Sequence, residues 1–449
     1  MTGLLGRLYY LGVVQADQYK TLSDNNRLSL RLIPPVRGKI LDRHGNELAI
    51  NRKDFRVHLI PELAKDVNRT LASLSNIIGL SVEDIEEILE RINTQPKFVP
   101  ITIAENLDWQ TFSRVNVEIP NLPGVQPVEA ETRFYPEAEL ASHLVGYVAA
   151  PTINDLRDDP GTPDIVERRT NPVLLLPGFK IGKEGFELGL EGNLRGTAGT
   201  NTVEVNAFGR VVREVDQIEG QEGDPLTLTI DLDLQRYAAQ RLGDESAAAV
   251  IMDIYTGDVL AAVSTPSFNP NDFSTGISQK KLDGLNSNLK KPLFNKFLQG
   301  QYPPGSTFKM IVAIAALEEG VIDDVEKIRC TGKTVLGDST FHCWKKEGHG
   351  RMALVNSIAQ SCDVFFYEIA GRVGIDKMAE VARRFGLGQE YGIEFGNEAG
   401  GLIPTRDWKF ATIGTRWQKG ETLISGIGQG FVLATPLQLA VMTARIANG

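Results

Sequence analysis

The 449-residue chain reads as an α+β protein of more than one domain: a mixed α/β region first, then an antiparallel sheet sandwiched by helices. Three observations predict this. The length exceeds what one hydrophobic core ordinarily serves. Hydrophobic residues at 42% and charged residues at 23% are the proportions of a folded globular protein. The pattern also changes near Gly220-Gln221-Glu222-Gly223-Asp224. Before it lie glycine-rich strands and turns; after it come a strand, a helix, a hairpin and a long helical stretch. The domains so drawn are 1–24, 25–222 with an inserted head around 50–130, and 223–449.

At the N-terminus, the apolar run from Leu4 to Val14 is short and contains Arg7, so it does not span a bilayer by itself. It reads either as the end of a membrane-anchor helix whose core lies upstream or as a buried helix. Residues 15–36 end in Pro34-Pro35 and read as a helix passing into an extended segment. Arg37 to Ala49 is a strand and turn. Ser81 caps an amphipathic helix with Asp84 at the capping-box position, and Ile85, Ile88, Leu89 and Ile92 form its apolar stripe. His143 sits on an apolar face with no partner cluster and is read as structural. The glycines between 182 and 220 are read as turns, since no Lys-Ser/Thr pair closes a phosphate loop. Pro225 to Ile230 is a strand, and Asp231 caps a helix bearing Leu234, Tyr237, Ala238 and Leu242 on one side. Ala247 to Ile254 and Asp258 to Ser264 form a hairpin.

The net charge of −10 and the lack of any dense Lys/Arg block argue against a nucleic-acid partner. The chemistry centres on Tyr302-Pro303-Pro304-Gly305-Ser306-Thr307-Phe308-Lys309, which runs into an apolar helical stretch. Ser306 is expected at the helix N-terminus, where free backbone N–H groups and the helix dipole favour an oxyanion. Lys309 is expected one turn on, close enough to take the Ser306 proton directly. The plainer alternative is an N-cap serine and a solvated lysine.

The three cysteines and one histidine spaced C-x12-C-x5-H-x12-C, namely Cys330, Cys343, His349 and Cys362, form a Cys3His set suited to tetrahedral zinc, with His342 or Asp338 as substitute ligands. Buried free thiols, or a Cys330–Cys343 disulfide with Cys362 left over, are the alternatives.

Together, the S-x-x-K of Ser306 and Lys309, Ser361-Cys362-Asp363, and Gly426-Ile427-Gly428-Gln429-Gly430 before Ala434-Thr435-Pro436 resemble the transpeptidase domain of penicillin-binding proteins. Upstream, Arg37-Gly38 through Asp42-Arg43, Arg133 to Pro136, Gly185-Phe186-Glu187 and Leu194-Arg195-Gly196 resemble the non-catalytic motifs of the class B pedestal. The S-x-D motif, Trp344-Lys345-Lys346, Gly348-His349-Gly350 and Pro404 to Lys409 are most similar to the elongation branch, penicillin-binding protein 2. The resemblance implies an elongated pedestal before a β-lactamase-like transpeptidase domain. It also implies an S-x-x-K nucleophile and base, with Ser361 passing protons and Asp363 anchoring Lys309 or the peptide. The third motif, K-[ST]-G, is not in the sequence, so the transpeptidase domain is expected to be C-terminally incomplete and slow to acylate.

The activity implied is peptidoglycan D,D-transpeptidation during cell elongation through a Ser306 acyl-enzyme, inhibited by β-lactams. Its alternatives are a serine β-lactamase, a β-lactam sensor, or a mainly scaffolding component. Implied partners are peptidoglycan stem peptides, a rod-complex scaffold protein and a SEDS-type membrane glycosyltransferase, the last two through the pedestal. Implied placement is a single-pass anchor in the inner membrane with the rest in the periplasm. A zinc at the cysteine set would be structural, tying the 330–350 loop to the back of the Ser361 motif. Arg37, Asp42, Arg43 and Arg133 are expected to pair across the pedestal and lock it to the catalytic half.

Overall fold

A computed structural model describes residues 28–94, 96–159, 171–205, 211–394 and 396–449, so the anchor reading for 1–24 lies outside the described residues. None of the described helices is long and apolar enough to cross a membrane. Of 15–36, read as a helix passing into an extended segment, the first part lies outside the described residues and the rest opens with a strand, Leu28–Ile33. Its leucines recur at every second position, which suits a pleat better than a helix. It pairs antiparallel with Gly199–Val205, which pairs in turn with Val211–Ile218.

The spine of the pedestal is the 13-residue strand Glu47–Leu59, flanked by Ile101–Leu107 and Val125–Phe134. The helices Val67–Ile78, Val82–Thr94 and Trp109–Glu118 complete the head. Its core is Val57, Leu59, Leu71, Leu74, Ile88, Ile92, Ile101, Ile103, Val115, Leu122 and Val125. The Ser81–Asp84 capping box is present, with Ser81 N to Asp84 Oδ2 at 2.9 Å and Asp84 N to Ser81 Oγ at 3.1 Å.

The strand expected over 225–230 is a two-residue ladder, Leu226–Thr227, that runs parallel to Ile40–Leu41 in the pedestal sheet. The chain thus returns to the pedestal before entering the catalytic half. Three segments meet there: Gly38 N donates to Leu194 O at 2.8 Å and Gly223 N to Val36 O at 2.9 Å. A Cβ on Gly38 would lie 2.1 Å from Asp224 O, so only glycine permits the approach. The glycine-rich stretch after 182 is not wholly turns: Phe186 and Glu187 lie on the short helix Gly185–Gly189, and Leu194 and Arg195 on Glu191–Arg195.

These two helices carry Glu187 and Glu191, both fully buried. Arg37 reaches Glu187 Oε2 at 2.5 Å and Glu191 Oε2 at 2.6 Å, while Arg133 reaches Glu187 Oε1 at 2.7 Å. Arg195 donates to Glu191 at 2.8 Å and to both oxygens of Asp159 at 2.7 and 2.8 Å. Burial alone would raise the Glu187 carboxyl, but the Arg133 and Arg37 guanidinium groups outweigh it and hold that carboxyl below its ordinary range. Arg37 and Arg133 therefore meet on one carboxylate inside the pedestal. The lock to the catalytic half falls instead to Asp42, whose Oδ2 accepts from Leu232 N at 3.2 Å, and to the backbone of Arg43, whose N–H donates to Ile230 O at 2.9 Å.

One hydrophobic cluster spans both halves, joining Ile40, Leu48 and Leu194 to Leu228, Ile230, Ala262, Phe297 and Leu437. His143 is half-buried with its ring edge-on to Phe268, and desolvation and then the charge of Lys296 push its pKa down to about 4. The hairpin Ala247–Met252 and Val259–Thr265 carries the helices Leu232–Leu242 and Pro436–Asn448. Asp231 caps the first of these by accepting from Asp233 N and Leu234 N. The buried side of that helix is Leu232, Gln235 and Ala238, and Tyr237 is exposed. Gln235 wins its interior place because its amide both donates to and accepts from the Ala262 backbone, at 2.9 and 2.8 Å, stitching helix to strand. The helices Lys309–Glu318, Asp363–Val373, Ile375–Arg384 and Lys419–Ser425 contribute to the third and largest core.

Candidate active site

The Ser306 loop is held from below by backbone pairing. Tyr302 and Ala434 exchange two hydrogen bonds of 2.9 Å, and Gly305 N donates to Gly428 O at 2.9 Å. Gly428 has φ +68°, and a Cβ there would lie 2.2 Å from Gly305 O. This explains why a G-x-G pair belongs beside a nucleophile: it lets the turn after the helix Lys419–Ser425 touch the loop. The chain then makes a 3-10 turn, Gly305–Phe308, before the helix Lys309–Glu318 begins. An α-helix was expected from Ser306 itself. The tighter opening turn carries a Thr307 Oγ1 to Pro304 O bond of 2.8 Å.

Ser361 lies between the helices Leu354–Ala359 and Asp363–Val373, at φ +51°. A non-glycine residue in that region is strained and held there by its surroundings. The structure brings Ser306, Lys309, Ser361 and Asp363 together. Ser306 Oγ and Ser361 Oγ are 2.8 Å apart. Lys309 Nζ donates to Ser361 Oγ at 2.9 Å, Ser361 O at 3.0 Å and Asp363 Oδ1 at 2.7 Å. Direct proton transfer from Ser306 to Lys309 was expected, but the hydrogen-bonded route runs through the Ser361 hydroxyl. Ser306 is exposed at the mouth while Lys309 is 2% exposed. A reachable nucleophile, a hydroxyl that both donates and accepts, and a buried amine held by a carboxylate make a proton path away from an attacking oxygen.

Trp344 also belongs to this site, and its role was not read from the sequence. Its backbone N–H donates to Asp363 Oδ2 at 3.0 Å, and its indole Nε1 lies 3.1 Å from both Gln360 O and Ser361 O. The available signal was its place directly after Cys343.

Behind the relay, the ligand atoms of Cys330, Cys343, His349 and Cys362 all lie within 4.8 Å of one another. The antiparallel pair Ile328–Cys330 and Gly350–Met352 brings Cys330 next to the His349 loop. His349 Nδ1 is 3.6 Å from Cys330 Sγ and 3.5 Å from Cys343 Sγ. With Zn–S of about 2.3 Å and Zn–N of about 2.05 Å, the S···N edge of a zinc tetrahedron is about 3.5 Å, so the donor set fits that ion. His342 and Asp338 are exposed on the neighbouring hairpin and lie outside this group. All three thiols are free and buried, without the Cys330–Cys343 disulfide.

Crowding splits their protonation. Burial, with the Cys330 and Cys343 thiols beside it, pushes Cys362 up to about 12. Burial opposes ionisation of Cys330 as well, but backbone N–H groups of Gly332 and His349 outweigh it and bring that thiol below its usual value. Burial and then the Lys345 charge depress His349, keeping a neutral imidazole. Three thiols facing a neutral imidazole are a donor set that a divalent cation would stabilise as thiolates.

Comparison with known proteins agrees with this geometry. The family profile described as the penicillin-binding protein transpeptidase domain matches residues 247–449, and that of the penicillin-binding protein dimerisation domain matches 32–228. The peptidoglycan D,D-transpeptidase MrdA of Acinetobacter baumannii is 39% identical over 99% of this chain and 65% of its own length. MrdA of Escherichia coli K12 is 38% identical over 98% of this chain and 69% of its own. The chain thus spans about two thirds of the length of these relatives. The solved complex between penicillin-binding protein 2 and MreC from Helicobacter pylori superposes with a TM-score of 0.82 at 30% identity, covering 94% of this chain and 78% of that one. A serine relay on a transpeptidase domain, set on a class B pedestal and matched over nearly all of the chain, places this protein in the family of penicillin-binding protein 2, the MrdA peptidoglycan D,D-transpeptidases.

Proposed function

We propose that the chain forms peptide crosslinks in peptidoglycan during cell elongation, as a serine D,D-transpeptidase. The observation that carries this is the unbroken hydrogen-bonded path from Ser306 Oγ through Ser361 Oγ to Lys309 Nζ and Asp363. In the first step, Ser306 Oγ bonds to the carbonyl carbon of the penultimate D-Ala of a stem peptide, and its proton passes through Ser361 towards Lys309. The amide C–N bond then breaks, the terminal D-Ala nitrogen takes a proton from the same relay, and free D-Ala leaves. In the second step, the amine of another stem peptide attacks the ester, returns a proton through the relay and frees Ser306, leaving a new amide. A β-lactam is a strained amide that would acylate Ser306 in the same way and depart slowly.

The sulfur cluster would bind one zinc ion as a structural ligand set, with Cys330, Cys343, His349 and Cys362 filling all four positions. Zinc there would supply cohesion rather than chemistry, because a four-protein-ligand set leaves no open position. The pedestal would dock a scaffold protein and a membrane glycosyltransferase; the solved complex of the Helicobacter pylori penicillin-binding protein 2 with MreC supports a partner of the first kind. The placement proposed is an inner-membrane anchor with the described residues in the periplasm.

Labelling of the full-length protein with a fluorescent penicillin tests the chemistry. The expected result is one covalent adduct on Ser306, lost in Ser306→Ala. Labelling that persists in the variant would sink the assignment. Elemental analysis of protein purified without chelator tests the metal: about one zinc per chain, absent from Cys330→Ser, is the expected outcome.

A further inference from the structure

The Trp344 side chain is unusual in being 65% exposed while its one polar group is fully engaged. The indole N–H is shared between two consecutive carbonyls, Gln360 O and Ser361 O, each 3.1 Å away. The second carbonyl is also the one that accepts from Lys309 Nζ at 3.0 Å. The backbone N–H of the same residue holds Asp363 Oδ2 at 3.0 Å, while Asp363 Oδ1 holds Lys309. Trp344 therefore touches both groups that fix the buried amine.

Ser361 needs such support. At φ +51° it occupies the left-handed region, from which a residue with a β-carbon relaxes unless its peptide groups are tied. Rotation about that φ, with the helix Leu354–Ala359 held in place, would swing the Ser361 carbonyl and β-carbon together and carry Ser361 Oγ away from its position between Ser306 and Lys309. A rigid donor aimed at the carbonyls on both sides of the strained residue opposes that rotation. Trp344 is itself well fixed: its neighbour Cys343 donates its N–H to Gly332 O at 2.9 Å, and its ring stands against His349 with centroids 5.3 Å apart.

We propose that Trp344 is a positioning residue for acyl transfer, its indole N–H bracing the Ser361 peptide so that the Ser361 hydroxyl stays in the relay. The inference rests on the reading of Ser306 as an acyl nucleophile. Substrate contact with the exposed ring face is a different role, and the test separates the two.

The measurement is the time course of β-lactam acylation of the full-length protein, resolved into an acylation rate constant and an apparent binding constant. Trp344→Phe keeps the aromatic face and the backbone N–H and removes only the indole donor. Loss of one aligned hydrogen bond at a reacting group should lower the acylation rate constant about tenfold, with the binding constant and the melting temperature unchanged. An unchanged rate constant, or a loss confined to the binding constant, overturns the proposal. A wild-type protein that forms no Ser306 adduct would fell the acyl-transfer reading and this inference with it. Should Trp344→Phe fail to fold, the wild-type indole proton decides: slow exchange with solvent despite the exposed ring is expected, and exchange at the rate of a free indole overturns the brace.

Discussion

The pedestal and the catalytic half each bury cations against carboxylates, yet the two clusters are built from different side chains. In the pedestal every buried cation of the cluster is an arginine, and Arg37, Arg133 and Arg195 share Glu187, Glu191 and Asp159 in fork-like pairs. Arginine does not give up its proton in a protein and offers fixed donor geometry, so such a cluster can only hold shape. In the active site of the catalytic half the buried cation is Lys309, and its amine meets one carboxylate and one hydroxyl. Lysine can exchange a proton, and a hydroxyl can pass one on. Buried charge alone therefore does not mark chemistry; a protonatable amine touching a hydroxyl that touches an exposed hydroxyl does.

The strongest way to break this contrast is to make the catalytic cation behave like the pedestal ones. Lys309→Arg keeps the charge opposite Asp363 but removes the proton acceptor. Acylation of the full-length protein by a fluorescent penicillin should fall by about 10²–10⁴-fold, the range for loss of a general base, while circular dichroism stays native. Labelling at the wild-type rate would remove Lys309 from the relay.

The converse change empties the pedestal cluster. Glu187→Ala leaves Arg37 and Arg133 buried without their shared carboxylate and should cost about 3–5 kcal/mol of stability in denaturant unfolding. Acylation measured well below the unfolding transition should be unaffected. A large fall in acylation with full stability would mean that this cluster works on the chemistry after all.

Acid sharpens the same distinction. The Glu187 carboxyl titrates below its ordinary value of 4.5, so its contribution to stability is fully present above that pH. It is lost as pH falls through the lower, folded-state value, because the unfolded chain then binds the proton more readily. Wild-type unfolding free energy should drop as pH falls below that ordinary value of 4.5, and Glu187→Gln should flatten part of that slope. An equal slope in the variant would show that other carboxylates govern acid unfolding.

Much of this arrangement was legible in the residues. The Ser306 and Lys309 spacing, the capping Asp231 and Ser81, and the C-x12-C-x5-H-x12-C set all act over short stretches or carry strong side-chain chemistry. What was not legible depends on contacts far apart in sequence. That Arg37 pairs with Glu187 rather than across to the catalytic half follows from a separation of 150 residues, which no local pattern encodes. Leu226–Thr227 looked like the first catalytic strand because its own apolar character says strand but not which sheet. Ser361 at positive φ and the indole brace on it arise from tertiary constraint, and a serine gives no warning of it. Tyr237 was misplaced onto the buried side because a polar glutamine won that position through two backbone hydrogen bonds.

The smallest expected effect lies at the seam between the two regions. Asp42 is fully buried and accepts four hydrogen bonds: His44 N and Asn46 N at 2.8 Å each, Asn46 Nδ2 at 2.9 Å and Leu232 N at 3.2 Å. His44 and Asn46 sit on an exposed turn, where water can replace the carboxylate. Leu232 does not; it is 4% exposed at the start of the first catalytic helix. Asp42→Ala should therefore destabilise by about 1–3 kcal/mol, the cost of one buried donor left unpaired together with a loosened turn. The loss should appear in thermal unfolding of the two-domain chain with acylation of Ser306 unchanged, because no bond from Asp42 reaches the relay. Unchanged stability would mean that the Arg43 N–H to Ile230 O bond, the parallel Ile40–Leu41 and Leu226–Thr227 ladder and the shared apolar cluster fasten the halves without that carboxylate, and that the seam, unlike either cluster, does not depend on a buried charge.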